Sequence, residues 1–131
     1  MRTPARAIVA SLALLSTISA ATAGGVLDGD EIELLVTDKS TACLKEKDQR
    51  VCTTYFSPEG VIKRRMHDTD ARKQGRWFID DSDRLCILWT GKIKPLCLTV
   101  TSNPDDTYTL TKKGRHVSSI LELSDGNSEG L

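Results

Sequence analysis

The stretch GRWFIDDSDRLCILWTGKIKPLCLTV, Gly75 to Val100, decides the fold. It holds both tryptophans and two of the four cysteines. Leu85, Ile87 and Trp89 alternate with Cys86, Leu88 and Thr90, and beyond Gly91 the residues Leu96, Leu98 and Val100 alternate with Cys97, Thr99 and Thr101. Successive side chains of an extended chain point to opposite faces, so a period of two in β-branched and aromatic residues predicts strands. Two turns divide the stretch into three of them.

Facing Cys86 with Cys97 also faces Leu88 with Pro95 and Trp89 with Lys94, and leaves Thr90, Gly91, Lys92 and Ile93 as a common length of hairpin loop. Proline has no amide hydrogen and must sit where the ladder needs none. With Trp89 and Lys94 as the hydrogen-bonded closing pair, both Leu88–Pro95 and Cys86–Cys97 become non-hydrogen-bonded pairs, whose close Cα approach suits a disulfide. A two-residue Gly91-Lys92 turn keeps the same facing pairs but puts Pro95 at a hydrogen-bonded site, and ranks second.

Residues 1–23 read as an export signal. Arg2 and Arg6 supply a positive start, Ala7 to Ala20 an apolar middle, and Ala21-Thr22-Ala23 the small residues at which a signal peptidase cuts. An uncleaved anchor is the alternative, but the apolar stretch falls short of the ~20 residues that span a bilayer. Removing 23 of 131 residues leaves 108, enough for one domain over residues 24–123 with a short, mobile polar tail at 124–131. Of 18 basic and 18 acidic residues the signal takes two basic ones, so the remainder is slightly acidic and a general attraction to nucleic acid is not expected. The expected location is periplasmic or secreted, with no transmembrane segment once the signal is gone.

Four cysteines in a small exported chain predict disulfides, and three connectivities are open. The register favours Cys86 with Cys97, which leaves Cys43 with Cys52 around the polar loop Lys45 to Arg50. Redox or zinc chemistry would call for a Cys-x-x-Cys or a histidine beside a cysteine pair, and neither occurs.

Around this centre the chain predicts further short elements. Asp28 or Asp30 caps a helix with Glu31 and Glu33 in its first turn and Ile32, Leu35 and Val36 on one face, the alternative being an edge strand through Ile32, Leu34 and Val36. Thr53 to Met66 reads as a hairpin about the turn Ser57-Pro58-Glu59-Gly60. His67 to Gln74 is polar and reads as a loop. Turns at Asn103 to Asp106 and Lys113 to Arg115 bracket a strand through Tyr108 and Leu110, and Val117 to Leu123 offers the last strand. The sum is six or seven strands in an all-β antiparallel meander that closes into a barrel or a tight sandwich, with a short N-terminal helix and disulfides.

The strongest charge feature is the cluster Lys63, Arg64, Arg65, Arg72, Lys73 and Arg76, with His67. It suits an anionic small molecule, a glycan, a lipid headgroup or an acidic protein face, against the plainer reading of a solvated strand that Asp68 and Asp70 interrupt. Arg64 shares a face with Ile62 and Met66. If that face points into a barrel, the guanidinium needs a carboxylate, a carbonyl or a bound anion, whereas a bulge would turn it outward. Asp80, Asp81 and Asp83 lack the glycine and distant glutamate of a calcium loop and read as turn chemistry. His67 and His116 are too few and too scattered for a copper site. Trp77, Trp89 and Tyr108 fill a core or line a ligand cavity. No nucleophile elbow, metalloprotease histidine pair or phosphate loop appears, and no cofactor is expected.

Gly75-Arg76-Trp77 is similar to the Gly-x-Trp of lipocalins but lies centrally rather than near the mature start, so no ligand residues carry over from it. The order of a short leading helix, Tyr55-Phe56-Ser57-Pro58-Glu59-Gly60, Gly75-Arg76-Trp77, Leu85-Cys86 with Trp89, and then Cys97 resembles uncharacterised small periplasmic proteins of proteobacteria. That resemblance implies a fold and a compartment. The function expected is a non-enzymatic binding module for an anionic partner. The alternative is an inhibitor of a cell-wall lytic enzyme acting through the loop Thr90 to Lys94, and a hydrolase or metal carrier would require His67 or His116 to approach carboxylates.

Overall fold

The computed structural model of the protein describes residues 25–131, so the export signal expected over 1–23 lies outside the described residues. Eight antiparallel strands close into a barrel in sequence order: β1 (Lys39–Lys45), β2 (Arg50–Phe56), β3 (Val61–Met66), β4 (Arg72–Ile79), β5 (Leu85–Trp89), β6 (Leu96–Ser102), β7 (Tyr108–Lys112) and β8 (Arg115–Asp125). β8 pairs back onto β1, which leaves the meander no free edge.

The central ribbon has the predicted register. Leu85 faces Leu98, Cys86 faces Cys97 and Ile87 faces Leu96, and the two cysteines are bonded with Cα atoms 4.0 Å apart. The ladder stops there, one pair short of Leu88–Pro95 and two short of the Trp89–Lys94 closure expected. Lys92 N–H donates to the Trp89 carbonyl and Thr90 N–H to the Gln74 carbonyl, so the loop begins tied to β4, while Pro95 has no amide with which to extend the ladder. Cys43 and Cys52 face each other across β1 and β2 and form the second disulfide.

Three boundaries differ from expectation. β1, KSTACLK, raises the strand count to eight; its inward residues are threonine and cysteine, and they carry little hydrophobic signal. β4 starts at Arg72 rather than Gly75, because Arg72 and Lys73 pair with Arg65 and Arg64 although both side chains are charged. The last strand runs to Asp125, and the residues after it fold back on the barrel: Ser128 N–H donates to Ser40 Oγ, and Lys63 Nζ reaches the Leu131 backbone oxygen.

The N-terminal segment is a helix, α1 (Gly29–Val36), and not an edge strand. The Asp28 carboxylate accepts from Glu31 N–H while the Glu31 carboxylate accepts from Asp28 N–H, a reciprocal cap. Ile32 and Val36, one turn apart, are fully buried and close one end of the barrel. Gly29 lies so near the sheet that a Cβ there would stand 2.8 Å from Ile79 Cγ2. Above the helix, Phe56 and Trp77 meet edge to face at 5.6 Å, and Trp77 Nε1 donates to the Ser57 carbonyl. Each aliphatic side chain buried in this core contributes roughly 1.5–3 kcal/mol.

Consecutive antiparallel strands place their connections at alternate ends. The turns at 57–60, 80–84 and 103–107 lie at the helix end, and the turns at 46–49, 67–71, 90–95 and 113–114 ring the opposite one.

Candidate functional site: the open end of the barrel

The end opposite α1 opens into a cavity of about 250 Å³. Its floor is apolar, made by Phe56, Ile62, Ile87, Leu98, Leu110 and Ile120, and its mouth carries Arg64, Lys73, Lys45 and Trp89. Strand alternation builds this arrangement. Arg64 stands two residues from the fully buried Ile62 on β3, and Lys73 lies opposite it on β4, two residues before Gly75 and four before Trp77. Trp89 faces Gly75 across β4 and β5, where β-carbon space is absent: a Cβ on Gly75 would lie 2.3 Å from the Leu88 carbonyl oxygen and 2.8 Å from Trp89 Cα.

The two cations share one indole. Arg64 Cζ is 4.7 Å and Lys73 Nζ 4.6 Å from the centre of the Trp89 ring, within cation–π range. Arg64 Nε is buried with no hydrogen-bond partner, the one such side-chain atom among the described residues. Neither cation has a carboxylate within ion-pair distance among the described residues. Asp48 acts on Arg64 only from afar, since its carboxylate lies 4.0 Å from both Lys45 and Arg50.

Loss of water around the Arg64 guanidinium lowers its pKa, and the charge of Arg50 lowers it further. Lys73 is pushed down to about 8, first by desolvation and then by the charges of Arg64, Lys45 and Lys92. Positive charges therefore converge on an apolar chamber, and among the described residues neither Arg64 nor Lys73 has a carboxylate in contact to offset its charge, Asp48 being shared by Lys45 and Arg50. The chemistry this allows is recognition of a negatively charged head whose apolar remainder enters the barrel.

Of the six cations singled out in the sequence, Arg64 and Lys73 are brought together inside. The others lie on the outer face or rim, because neighbours on a strand diverge. Lys63 reaches the chain's last residue. Arg65 Nε and Nη2 both donate to Glu129 Oε1, at 3.0 and 2.7 Å. Arg72 lies 3.7 Å from Asp70, and Arg76 is exposed on the outside of β4. The single contact surface expected over 63–76 is thus split between two faces. Sequence reasoning missed Lys45, although its spacing from Cys43 puts both on one face once β1 is recognised. Trp89 lines the mouth, Trp77 belongs to the core, and Tyr108 packs half-buried against that core.

The remaining candidates have structural duties. Asp80 accepts from the Ser82 and Arg84 amides and pairs with the Arg84 guanidinium, while Asp83 accepts from Gly29 N–H at the start of α1. Asp80 also lies near Cys86 and Cys97, but these sulfurs are spent in a disulfide. His116 contacts Ser119 Oγ and lies 3.6 Å from Glu46. His67 Nε2 and Glu129 Oε2 both lie 2.7 Å from Thr53 Oγ1. That threonine is buried, and its carboxylate partner is held by Arg65, so the group works as a strut that fastens the tail.

No helix among the described residues is long and apolar enough to cross a membrane. The buried core of the barrel is apolar, while its outer face carries Lys63, Arg65, Arg76 and Glu122 together with exposed Val51, Phe78 and Leu121 and so lacks the continuous apolar band of a barrel immersed in lipid. No family model, curated protein or solved structure matches the chain.

Proposed function

We propose that the protein is an exported, non-enzymatic binder of a small amphiphilic anion, a carboxylate or phosphate head carrying a short apolar tail. The tail enters the chamber floored by Ile62, Ile87, Leu98, Leu110 and Ile120; the head sits between Arg64 and Lys73 at the edge of Trp89. The observation that carries this reading is the Arg64 guanidinium, inside the barrel with an unpartnered Nε and no carboxylate beside it. A purely structural arginine in such a place is costly unless it is paired. The volume, below the ~300 Å³ at which small-molecule sites usually begin, argues for a modest ligand. Two disulfides support an oxidising compartment.

The inhibitor reading predicts a protruding loop on an acidic face. The residues of the loop Thr90 to Lys94 are exposed, but the loop carries Lys92 and Lys94, whose charges would repel a basic lytic enzyme.

The test is calorimetric titration with decanoate and with 1-decanol. Decanoate binds saturably and more tightly than the alcohol, and Arg64→Met weakens the acid roughly tenfold to a hundredfold, the usual worth of a charge-assisted contact, while leaving the alcohol unchanged. Equal affinity for acid and alcohol, or no binding by decanoate, decyl sulfate and decyl phosphate alike, would sink the reading.

A further inference from the structure

The mouth of the barrel is itself two-sided. In the turns at 46–49 and 67–71 the carboxylates are all engaged: Glu46 by His116, Asp48 by Lys45 and Arg50, Asp68 by Arg50, and Asp70 by Arg65 and Arg72. The other half, made by the β5–β6 and β7–β8 connections, carries Lys92, Lys94, Lys112, Lys113 and Arg115 and has no carboxylate. Between Arg84 and Glu122 the only acidic residues are Asp105 and Asp106, in a turn at the opposite end. None of the five cations lies within ion-pair distance of a carboxylate among the described residues. At the tip of this half-rim stands Ile93, 95% exposed between Lys92 and Lys94.

A β-branched apolar side chain held fully in water on a hairpin tip does nothing for the fold. Flanked by lysines, it has the chemistry of a peripheral membrane contact: the ammonium groups meet lipid phosphates while the aliphatic tip enters the boundary between headgroups and acyl chains. The far end of the barrel carries the opposite charge, with Asp30, Glu31 and Glu33 on α1, Asp80 and Asp81 beside it, and Asp105 and Asp106. An anionic surface therefore turns the molecule mouth first.

We infer that the half-rim formed by Lys92, Ile93, Lys94, Lys112, Lys113 and Arg115 docks the open end of the barrel onto an anionic lipid bilayer. This rests on the rim alone and stands whether or not Arg64 holds a ligand. Docked so, the cavity mouth faces the layer in which amphiphilic anions dissolve, and acidic phospholipid is the occupant that both the charge and the apolar tip fit.

The test is flotation of the purified chain with vesicles of phosphatidylcholine alone or of phosphatidylcholine with phosphatidylglycerol, at low and high salt. The protein floats with the phosphatidylglycerol vesicles at low salt and is released by high salt. Lys112→Glu and Lys94→Glu each weaken partitioning by at least about fivefold, the usual share of one basic side chain. Ile93→Asp weakens it about tenfold or more, and Ile93→Trp strengthens it. Ile93 is 95% exposed, so thermal melting of its variants stays at the parent value. Absence of flotation, or equal flotation with both vesicles, overturns the inference. Flotation that Lys94→Glu removes and Ile93→Asp leaves intact also overturns it, since charge alone would then hold the protein and the apolar tip would take no part in docking. Decanoate titration of Ile93→Asp separates the two proposals, because the chamber is untouched in that variant.

Discussion

A half-buried guanidinium at the mouth of an apolar barrel, with no carboxylate in contact among the described residues and one nitrogen unbonded, is a local loss of stability that stacking on Trp89 and the distant Asp48 charge offset in part. Arg64→Met keeps the volume and removes the charge, so in the absence of ligand it should raise stability by about 1 kcal/mol, or roughly 4–8 °C in a domain of this size. Melting with and without decanoate checks this. The parent gains stability as ligand is added and the variant does not, and a variant less stable than the parent contradicts the picture. Lys73 makes a second, pH-dependent case. Its folded pKa of about 8 lies below the ordinary 10.5, so between those values the unfolded chain holds a proton that the folded chain has released, and stability from this group rises with pH across that window. Anion binding slopes the other way. It needs the ammonium charged and should weaken severalfold as pH climbs through about 8, whereas Lys73→Arg, charged throughout, should flatten the profile. The inward direction of Arg64 was legible from its spacing to Ile62. Its want of a partner was not, because Asp68 and Asp70 lie close in sequence yet serve Arg50, Arg65 and Arg72 outside the barrel.

The hairpin through Cys86 and Cys97 was readable because alternation, proline placement and disulfide geometry all demanded one register. β1 and the first residues of β4 were not. In β1 the inward positions are Thr41, Cys43 and Lys45, and in β4 the pairing begins on charged residues, so burial there comes from closing the barrel and not from hydrophobic pattern. The C-terminal residues were hidden for a related reason: a polar segment reads as mobile unless its partners are known. Here Glu129 accepts from the Thr53 hydroxyl and from Arg65, which hold its carboxyl below the usual 4.5. A depressed carboxylate stabilises above its unfolded pKa and ceases to do so as pH falls through the folded value. Glu129→Gln should therefore cost about 1 kcal/mol near neutrality and nothing in acid. Hydrogen exchange should show the Ser128 amide, which donates to Ser40 Oγ, opening faster in the variant at neutral pH and in the parent on acidification. Unchanged exchange at Ser128 would mean that other contacts hold the tail.

Taken whole, the last four turns of the chain alternate acidic and basic, and a meander sends every other turn to the same end. The turns around Lys92, Lys94, Lys113 and Arg115 thus gather at the mouth, beside the carboxylate-bearing turns at 46–49 and 67–71, and those around Glu59, Asp80, Asp81 and Asp105 at the base, so the basic half-rim and the acidic base could be read from turn order once each turn was placed. What turn order could not supply is depth. The chamber is shallow because α1 fills the base with Ile32 and Val36, and a floor of branched aliphatics and Phe56 closes it above them. That sets a limit on the ligand. Across a series of straight-chain carboxylates, affinity should rise by about 0.8 kcal/mol per methylene while carbon enters the barrel, and then level off or fall once the floor is met. Ile120 lines the chamber and is almost wholly buried, so Ile120→Val should remove one methyl from the floor, cost about 0.5–1.5 kcal/mol of stability and shift the best chain longer by about one carbon. Titration calorimetry over the series reads both effects. An affinity that keeps climbing past the length the chamber can hold would mean that the chain lies along the rim, and the enclosed site would have to be given up.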